Sequence, residues 1–483
     1  MNQRGRNRYN RSPRQLFVAL AIFFIIGIGV GFRTEVSVWL WLSGVVVGLG
    51  TMVAWGRWWS VAVAMLSLGG FVAMVDPQER VVGEGVECVV RVVSHQQLVV
   101  ERYHDAQSGE WRRSNEQLYY GVDERVEPRP EIGDRYIMRL WPKGEGERRR
   151  YTYINSANLL SRLPPRNNIG RRASEANNWA VERLSRLSMS EDAESLAAAM
   201  LLGRRERLTT ERKTQYVRSG NAHLLAVSGM HVGLLALVVA LVLRPLYLLR
   251  RGVVWSRMAL IAFVVGYAVL VGGSPSVMRA AMMAVVVTVS VVATRRYDLL
   301  ASVAVAAVVL LCIDARMIFD VSFVLTFISM VAIAVWVVPL ARGLFGWTLE
   351  RGWNSGVRWL VNAVVGVVIL SVGCTLATAP YVAHTFGRVA LFGALGAPVL
   401  TLTSGVILVV SLVWILVGVE ALGAVTAWLL ESATTLQNGI VAWFCEGWRG
   451  GVEVELSVWW MVVIYLVYGL VSVVGYILAS RRG

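Results

Sequence analysis

The chain has 483 residues, of which 56% are apolar and only 16% charged, and its mean hydropathy is +0.55. Soluble domains hold about 45–50% apolar and about 25% charged residues, so an ordinary soluble enzyme and a disordered chain are both excluded. Yet 47 Lys+Arg against 32 Asp+Glu leave a net charge of +15, so the object to explain is a membrane protein with a basic excess.

The first apolar segment, Leu16–Phe32, follows Arg4, Arg6, Arg8, Arg11 and Arg14 with no acid among them. Val36–Trp55 and Trp58–Val75 come directly after it, so residues 1–75 read as a tail and three retained spans rather than a cleaved signal peptide. A basic N-terminus stays cytoplasmic. Three crossings then put residues 76–220 on the outer side. That window holds 22 of the 32 acids and 25 of the 47 bases. Its first part, Asp76–Glu147, carries 15 acids and 10 bases; Arg148–Gly220 carries 7 acids and 15 bases. Of the bases only Lys143 and Lys213 are lysine; genomic base composition is the plainer reading of that bias, beside the bidentate grip of Arg on phosphate.

Within residues 76–165, Val86–Val93, Gln97–Tyr103, Gln117–Val122 and Arg135–Trp141 read as short strands with two-residue alternation. Tyr136, Met138 and Leu140 share one face; Arg135, Ile137 and Arg139 share the other. Such strands in so short a stretch predict a small antiparallel barrel. Residues 166–220 then read as basic amphipathic connector helices, solvated and lying along the interface. Ser190 is a candidate N-cap and Gly203 a candidate C-cap for Ala193–Leu202, and Thr209 or Thr210 opens the next helix.

Residues 221–483 supply the remaining segments: Ala222–Leu249, Val253–Val271, Val277–Thr294, Leu299–Ile313, Ile318–Leu340, Val357–Ala379, Val389–Val419, Ala421–Phe444 and Val458–Leu478. The fold class is therefore a polytopic α-helical membrane protein of about twelve segments, some broken or interfacial, with a β-barrel inserted on the outer side. Arg250, Arg251, Arg257, Arg295, Arg296, Arg342, Arg351 and Arg358 fall on inner loops, and Glu446, Glu453 and Glu455 on an outer one. Arg481 and Arg482 place the C-terminus in the cytoplasm, unless Ala421–Phe444, with Glu431, Gln437 and Asn438, lies in the interface. Cys88, Cys312, Cys374 and Cys445 form neither a disulfide framework nor a zinc spacing, and no metal or cofactor is expected.

The residues that can carry chemistry sit in the last region. In Asn221–Gly233, His223, Val227 and His231 drift only about 80° over eight helical positions and share a face. Ser228 and Gly229 precede His231 and permit a local break, with Gly233 beyond. Ionisable groups at membrane depth face a bundle interior or an aqueous path. In Gly272–Arg279, Pro275 breaks the chain, Ser276 can cap the next helix beside Ser274, and Arg279 lies one turn inside, either snorkelling outward or lining a path. Asp320 can pair with Arg316, and Pro380–Arg388, with His384, joins two spans.

These stretches together resemble the ComEC competence DNA-channel family. The resemblance rests on Leu201-Leu202-Gly203, His223 to Gly233, Ser274 to Arg279, Asp320 to Phe327 and Ala379 to Gly387. It implies an inner-membrane channel that imports single-stranded DNA during natural transformation and makes the outer barrel OB-like; many members add a C-terminal metallo-β-lactamase-like domain, whose His-x-His-x-Asp-His string is not found here, so no enzymatic activity is expected. It also implies that His223, Ser228, Gly229, His231, Gly233, Ser274, Ser276, Arg279 and Asp320 shape the pathway. DNA-binding candidates are Arg171, Arg172, Arg204, Arg205, Arg212, Lys213 and Arg218 on the connector, with Tyr119 and Tyr120 on the barrel; Tyr103, Trp111 and Tyr136 are further aromatics that a base could stack on, although rings in a small barrel are more often core and its acidic balance favours the connector. Membrane lipid, a periplasmic DNA receptor, a separate nuclease and a separate cytoplasmic ATP-driven motor are the expected partners, because neither a His-x-His-x-Asp-His string nor a Gly-x-x-x-x-Gly-Lys loop occurs before Gly483. Val324 stands where the family has Gln, and the family's Asn shortly before Pro398 is missing from Gly393–Gly396. Two rival readings remain: an intramembrane serine hydrolase with Ser228 as nucleophile and His231 or His384 as base, and a small-molecule transporter.

Overall fold

The computed structural model describes residues 13–482 except 35, 56–57, 76–84, 95–96, 106–107, 124–125, 128, 144–149, 165–168, 226, 295–298, 391 and 447–450. Arg4, Arg6, Arg8, Arg11, Arg295 and Arg296, used above for orientation, lie outside them.

The chain opens with three helices, α1 (Pro13–Gly31), α2 (Val38–Trp55) and α3 (Trp58–Val75). Seven strands follow: β1 (Val86–Ser94), β2 (Gln97–His104), β3 (Trp111–Arg113), β4 (Gln117–Val122), β5 (Arg135–Leu140), β6 (Tyr151–Ile154) and β7 (Leu159–Leu163). Then come α4 (Ile169–Ser185), α5 (Glu191–Leu202), α6 (Thr210–Arg218), α7 (Gly229–Val242), α8 (Gly252–Leu270), α9 (Pro275–Thr294) and α10 (Leu299–Ile313). A π-helical turn over Ile333–Val337 joins α11 (Val321–Ala332) to α12 (Val338–Glu350). The remainder is α13 (Ser355–Phe386), β8 (Arg388–Val389), α14 (Ala397–Leu416), α15 (Gly423–Cys445), β9 (Val452–Glu453) and α16 (Val458–Arg482).

These elements form two compact units, each discontinuous in sequence: Met1–Ala176 with Arg257–Val324, and Asn177–Ser256 with Leu325–Gly483. Among the described residues four helical stretches are long and apolar enough to cross a membrane: Gly252–Leu270, Val321–Glu350, Ser355–Phe386 and Ala397–Leu416. Seven further helices contribute apolar stretches of 10–17 described residues, from Phe17–Gly31 in α1 to Val458–Ser472 in α16. The segment expected at Ala421–Phe444 belongs to neither group. The protein is thus a multi-pass helical membrane protein.

In the first unit α3 packs on both α1 and α2. Gly27 and Gly69 let two backbones touch: a Cβ on Gly27 would lie 2.0 Å from the Leu66 carbonyl oxygen, and one on Gly69 2.1 Å from that of Phe24. Close approach of small residues is how apolar helices strengthen dispersion attraction where the surrounding lipid supplies no hydrophobic drive. The sheet runs β6-β4-β2-β1-β5-β7, with β3 on β2. Its core follows the alternation read in the sequence: Val86, Cys88, Val90 and Val92 on β1 face Leu98 and Val100 on β2 and Tyr136, Met138 and Leu140 on β5. The sheet differs from the expected antiparallel barrel in one pairing. β4 and β6 run parallel, from Tyr119 beside Tyr151 to Val122 beside Ile154, because β5 intervenes in the chain and supplies the crossover. The result is a curled half-barrel consistent with the OB-like expectation.

In the second unit α5 is the central element. Ala193, Leu196, Ala197, Ala198, Ala199 and Met200 are all at most 1% exposed, and the helix packs against α14 and α15. A solvated connector was expected here; the run of alanines instead lets three helices close tightly. Its caps are those the sequence announces: the Ser190 hydroxyl accepts from Ala193 N–H, and Gly203 closes the helix at φ 77°. Tyr216 on α6, fully buried, donates to Asn438 (2.9 Å) and accepts from the Gln437 amide (3.2 Å), both on α15.

Pro380–Arg388 was read as the connection between two spans, but α13 runs through Pro380 to Phe386. Proline removes the N–H that would bond the carbonyl four residues back. That carbonyl, Leu376, takes a hydroxyl from Tyr468 on α16 at 3.3 Å, and Ala377 takes one from Tyr465 at 3.0 Å. Two side chains on a neighbouring helix thus satisfy the backbone where proline weakens it.

Candidate functional site

The Asn221–Gly233 stretch is not one continuous helix. A 3-10 turn covers Ala222–Leu224, and Ser228, extended at φ −108° and ψ 169°, caps α7. The break therefore falls at the Ser-Gly step, and His223 does not share a helical face with His231. Ser228 Oγ accepts the His231 backbone N–H, and the Ser228 N–H donates to His231 Nδ1, each at 3.4 Å. This is the reciprocal capping box, with imidazole in the place usually taken by Glu or Gln. With Nδ1 accepting, a neutral imidazole carries its proton on Nε2. That nitrogen is buried, in a side chain that is 0% exposed, and has no protein partner. The Arg205 guanidinium and His223 are its electrostatic neighbours; Arg205 donates to the Leu225 carbonyl at 3.0 Å. Ser228 and His231 are thus joined as a helix cap, in which the ring Nδ1 faces a backbone N–H and not the hydroxyl. His384 Nδ1 lies 2.9 Å from the Leu456 carbonyl. Around Gly233 no atom lies within 4 Å of an added Cβ, and Gly229 is exposed at the start of α7.

The first unit holds Ser274, Ser276, Arg279 and Asp320. Gly272 and Gly273, at φ 81° and 61°, turn the chain, and Pro275 takes the first helical position of α9. Ser276 thus lies inside the first turn rather than at the cap, 3.5 Å from Ser274 Oγ. Arg279 does not snorkel: it is 1% exposed, and its Nη2 donates to Ser322 Oγ at 2.9 Å. Asp320 caps α11, accepting the backbone N–H of Ser322 (2.8 Å) and Phe323 (3.4 Å) on one oxygen. Its other oxygen accepts the Tyr119 hydroxyl at 2.5 Å, where Arg316 had been expected. The Arg279 charge acts on the same carboxylate. One strand of the β-domain is thereby tied to the serine and arginine of two helices.

This changes the standing of the DNA-binding candidates. Tyr119 spends its hydroxyl on Asp320, and Tyr120 donates to the Ser94 carbonyl at 3.2 Å. Tyr103 and Tyr136 are core residues, 5% and 3% exposed. Burial first and then the Asp134 charge push the Tyr136 phenol well above its ordinary range. On the connector, Arg171 meets Glu175, Arg204 meets Asn177, Asn178 and Glu206, and Arg212 meets Asp192 and Gln215. Arg172 and Arg218 are exposed and Lys213 half-exposed, with no ion pair among the described residues. Trp111, 44% exposed, keeps an accessible ring, and β6 adds two exposed aromatics not named from the sequence. Tyr151 and Tyr153, 46% and 62% exposed, stand on the outer face of β6 with ring centres 6.4 Å apart. Tyr153 lies over Gly121, where a Cβ would come within 2.9 Å of its ring. The alternation Tyr-Thr-Tyr-Ile was the available signal, but four residues are too few to stand out as a strand. Among the described residues no three of His, Cys, Asp or Glu are grouped to hold a metal.

ComE operon protein 3 of Bacillus subtilis (strain 168) is 30% identical over 136 residues, which are 28% of this chain and 17% of that protein. This chain is therefore matched to less than a fifth of that relative's length. No solved structure matches. The family described as Competence protein matches residues 200–480, a span holding the histidine cap, Arg279 and Asp320. The chain belongs to that competence protein family.

Proposed function

We propose that this protein is the passage in the bacterial cytoplasmic membrane through which single-stranded DNA reaches the cytoplasm during natural transformation. Family membership and the likeness to ComE operon protein 3 support a role in DNA uptake for competence. The observation that carries the finer reading is Arg279. A guanidinium buried in an apolar helix is costly unless it faces counter-charge or an aqueous path; here Ser322 and the Asp320 charge hold it in place, one turn beyond a Gly-Gly-Ser-Pro break. A fixed cation at such a break is suited to a phosphate chain. The exposed pair Tyr151 and Tyr153 offers π-faces that a single strand presents and a duplex hides. In this reading both termini are cytoplasmic and residues 76–220 lie outside, with an OB-like β-domain. A periplasmic DNA receptor, a nuclease and an ATP-driven motor are then separate proteins.

The test is Arg279→Gln in a transformable host. Transformation should fall to the level of a gene deletion while DNA still accumulates outside the cytoplasmic membrane and the protein stays in it. Arg279→Lys, which keeps charge without the planar fork, should restore part of the activity. Wild-type entry of DNA into the cytoplasm with Arg279→Gln would sink the proposal.

A further inference from the structure

Far along the chain from these residues, the second unit contains a cleft of about 960 Å³ that the DNA reading does not use. It lies where the turn between α4 and α5 meets the turn between α14 and α15. Arg183, Arg186, Glu420, Glu431, Trp414 and Trp428 line it, with Gly418. Arg183 is held on three sides. Its Nη2 donates to the Val417 carbonyl at 3.3 Å, its guanidinium stands 5.5 Å over the Trp179 ring, and its own carbonyl accepts from Trp414 Nε1 at 2.8 Å. Gly418, at φ 53°, makes room: a Cβ there would lie 2.0 Å from Arg183 Nη2. The buried Arg183 Nε has no protein partner. Glu431 is already engaged, accepting the Ser190 backbone N–H at 3.0 Å. Arg186 and Glu420 are exposed and have no ion pair among the described residues.

The rim is apolar and open. Leu416, Val417, Leu422, Val425 and Trp428 are between 55% and 69% exposed, on the ends of α14 and α15. Tryptophan beside arginine on otherwise apolar helix ends is the chemistry of a membrane interface. The lining also selects among charged ligands. Two guanidiniums beside two carboxylates carry no net charge, so nothing here favours a polyanion. A ligand with a phosphate and an ammonium would satisfy both signs.

We propose that this cleft binds a zwitterionic aminophospholipid of the phosphatidylethanolamine class, its phosphate on Arg183 and Arg186, its ammonium on Glu420, and its acyl chains along the apolar rim. The site is independent of what the protein transports. Its volume is within the range of small-molecule sites, about 300–1,000 Å³.

The full-length protein in mild detergent, offered phosphatidylethanolamine or phosphatidylglycerol, is analysed by native mass spectrometry. Phosphatidylethanolamine should be retained about tenfold more strongly, the ratio that one well-formed charged interaction of about 1.4 kcal/mol gives. Arg186→Ala should remove most of that retention. Glu420→Gln should abolish the preference while leaving phosphate binding, so the two lipids become equal. Both residues are exposed, so neither variant threatens the fold. Gly418→Ala, which displaces Arg183, is a third probe. Equal retention of the two lipids by the wild type, or retention unchanged in Arg186→Ala and Glu420→Gln, overturns the proposal. So does displacement of bound lipid by a single-stranded oligonucleotide whose affinity falls in the same variants.

Discussion

Tyr119→Phe deletes one oxygen and leaves the ring. In the folded protein that oxygen donates to the Asp320 carboxylate at 2.5 Å, across 201 residues of sequence. Hydrogen bonds to charged groups contribute about 1.5–3 kcal/mol. Asp320 keeps its two backbone partners and the nearby Arg279 charge, so the loss should lie at the lower end, about 1.5 kcal/mol. This corresponds to about a tenfold shift in the local opening equilibrium. Hydrogen exchange read by mass spectrometry on the full chain in detergent is the assay, followed at β4 and at the first turn of α11. A double-mutant cycle with Asp320→Asn should return a coupling of about 1 kcal/mol. The two substitutions would instead be additive, within about 0.3–0.5 kcal/mol, if the hydroxyl and carboxylate did not act together, and that outcome refutes the tether. The variant also separates two roles for Tyr119. A stacking tyrosine loses nothing as phenylalanine, whereas a tethering one loses its bond.

Three further outcomes are expected. Ser228→Ala should cost about 1 kcal/mol of stability through the missing cap, while Ser228→Asn retains that stability; Ser228→Asn as destabilising as Ser228→Ala would refute the cap. Arg218→Ala should weaken single-stranded DNA binding and flatten its salt dependence by about 0.7 for each phosphate no longer neutralised, whereas Arg212→Ala should loosen the α5–α6 region with little change in that slope; equal slopes for the two variants would contradict the division of the connector arginines. Burial, with Glu116 adding, pushes the Cys88 thiol from its ordinary 9.0 up to about 12. Its folded value exceeds its unfolded one, so its contribution is complete below about pH 9 and is lost as pH rises toward 12. Unfolding of the wild type and of Cys88→Ala should therefore converge over that window, and thiol alkylation of the folded protein should stay slow within it; a constant gap between the two would show the thiol to be less buried than described.

What could be read from the sequence was what neighbouring residues decide together. The alternation along β1, β4 and β5 gave those strands because each side chain reports its own face. Ser190, Gly203 and Thr209 announced their caps because a cap is settled within four residues. Three features were illegible for one physical reason: their partners are distant in the chain. Tyr119 shows no sign of Asp320, nor Tyr216 of Asn438, 222 residues away. Pro380 looks like a break because the two tyrosines that heal it are on α16. The burial of α5 was missed for a related cause, since its acidic first turn suggests solvent while its alanines are selected by α14 and α15. The candidate site divides in the same way. Ser228 and His231, three residues apart, were found as a pair, though their bond proved to be a cap; the burial of Arg279 against Ser322 was not visible.

The tie between Tyr119 and Asp320 also has a consequence in time. Translation proceeds at about 5–20 residues per second, so the aspartate emerges roughly 10–40 seconds after the tyrosine that binds it. The β-domain can close its own core long before its anchor exists. Each nascent molecule therefore passes through an interval in which a formed domain hangs unfastened, and any factor that grips it then acts on a species that the finished protein no longer contains.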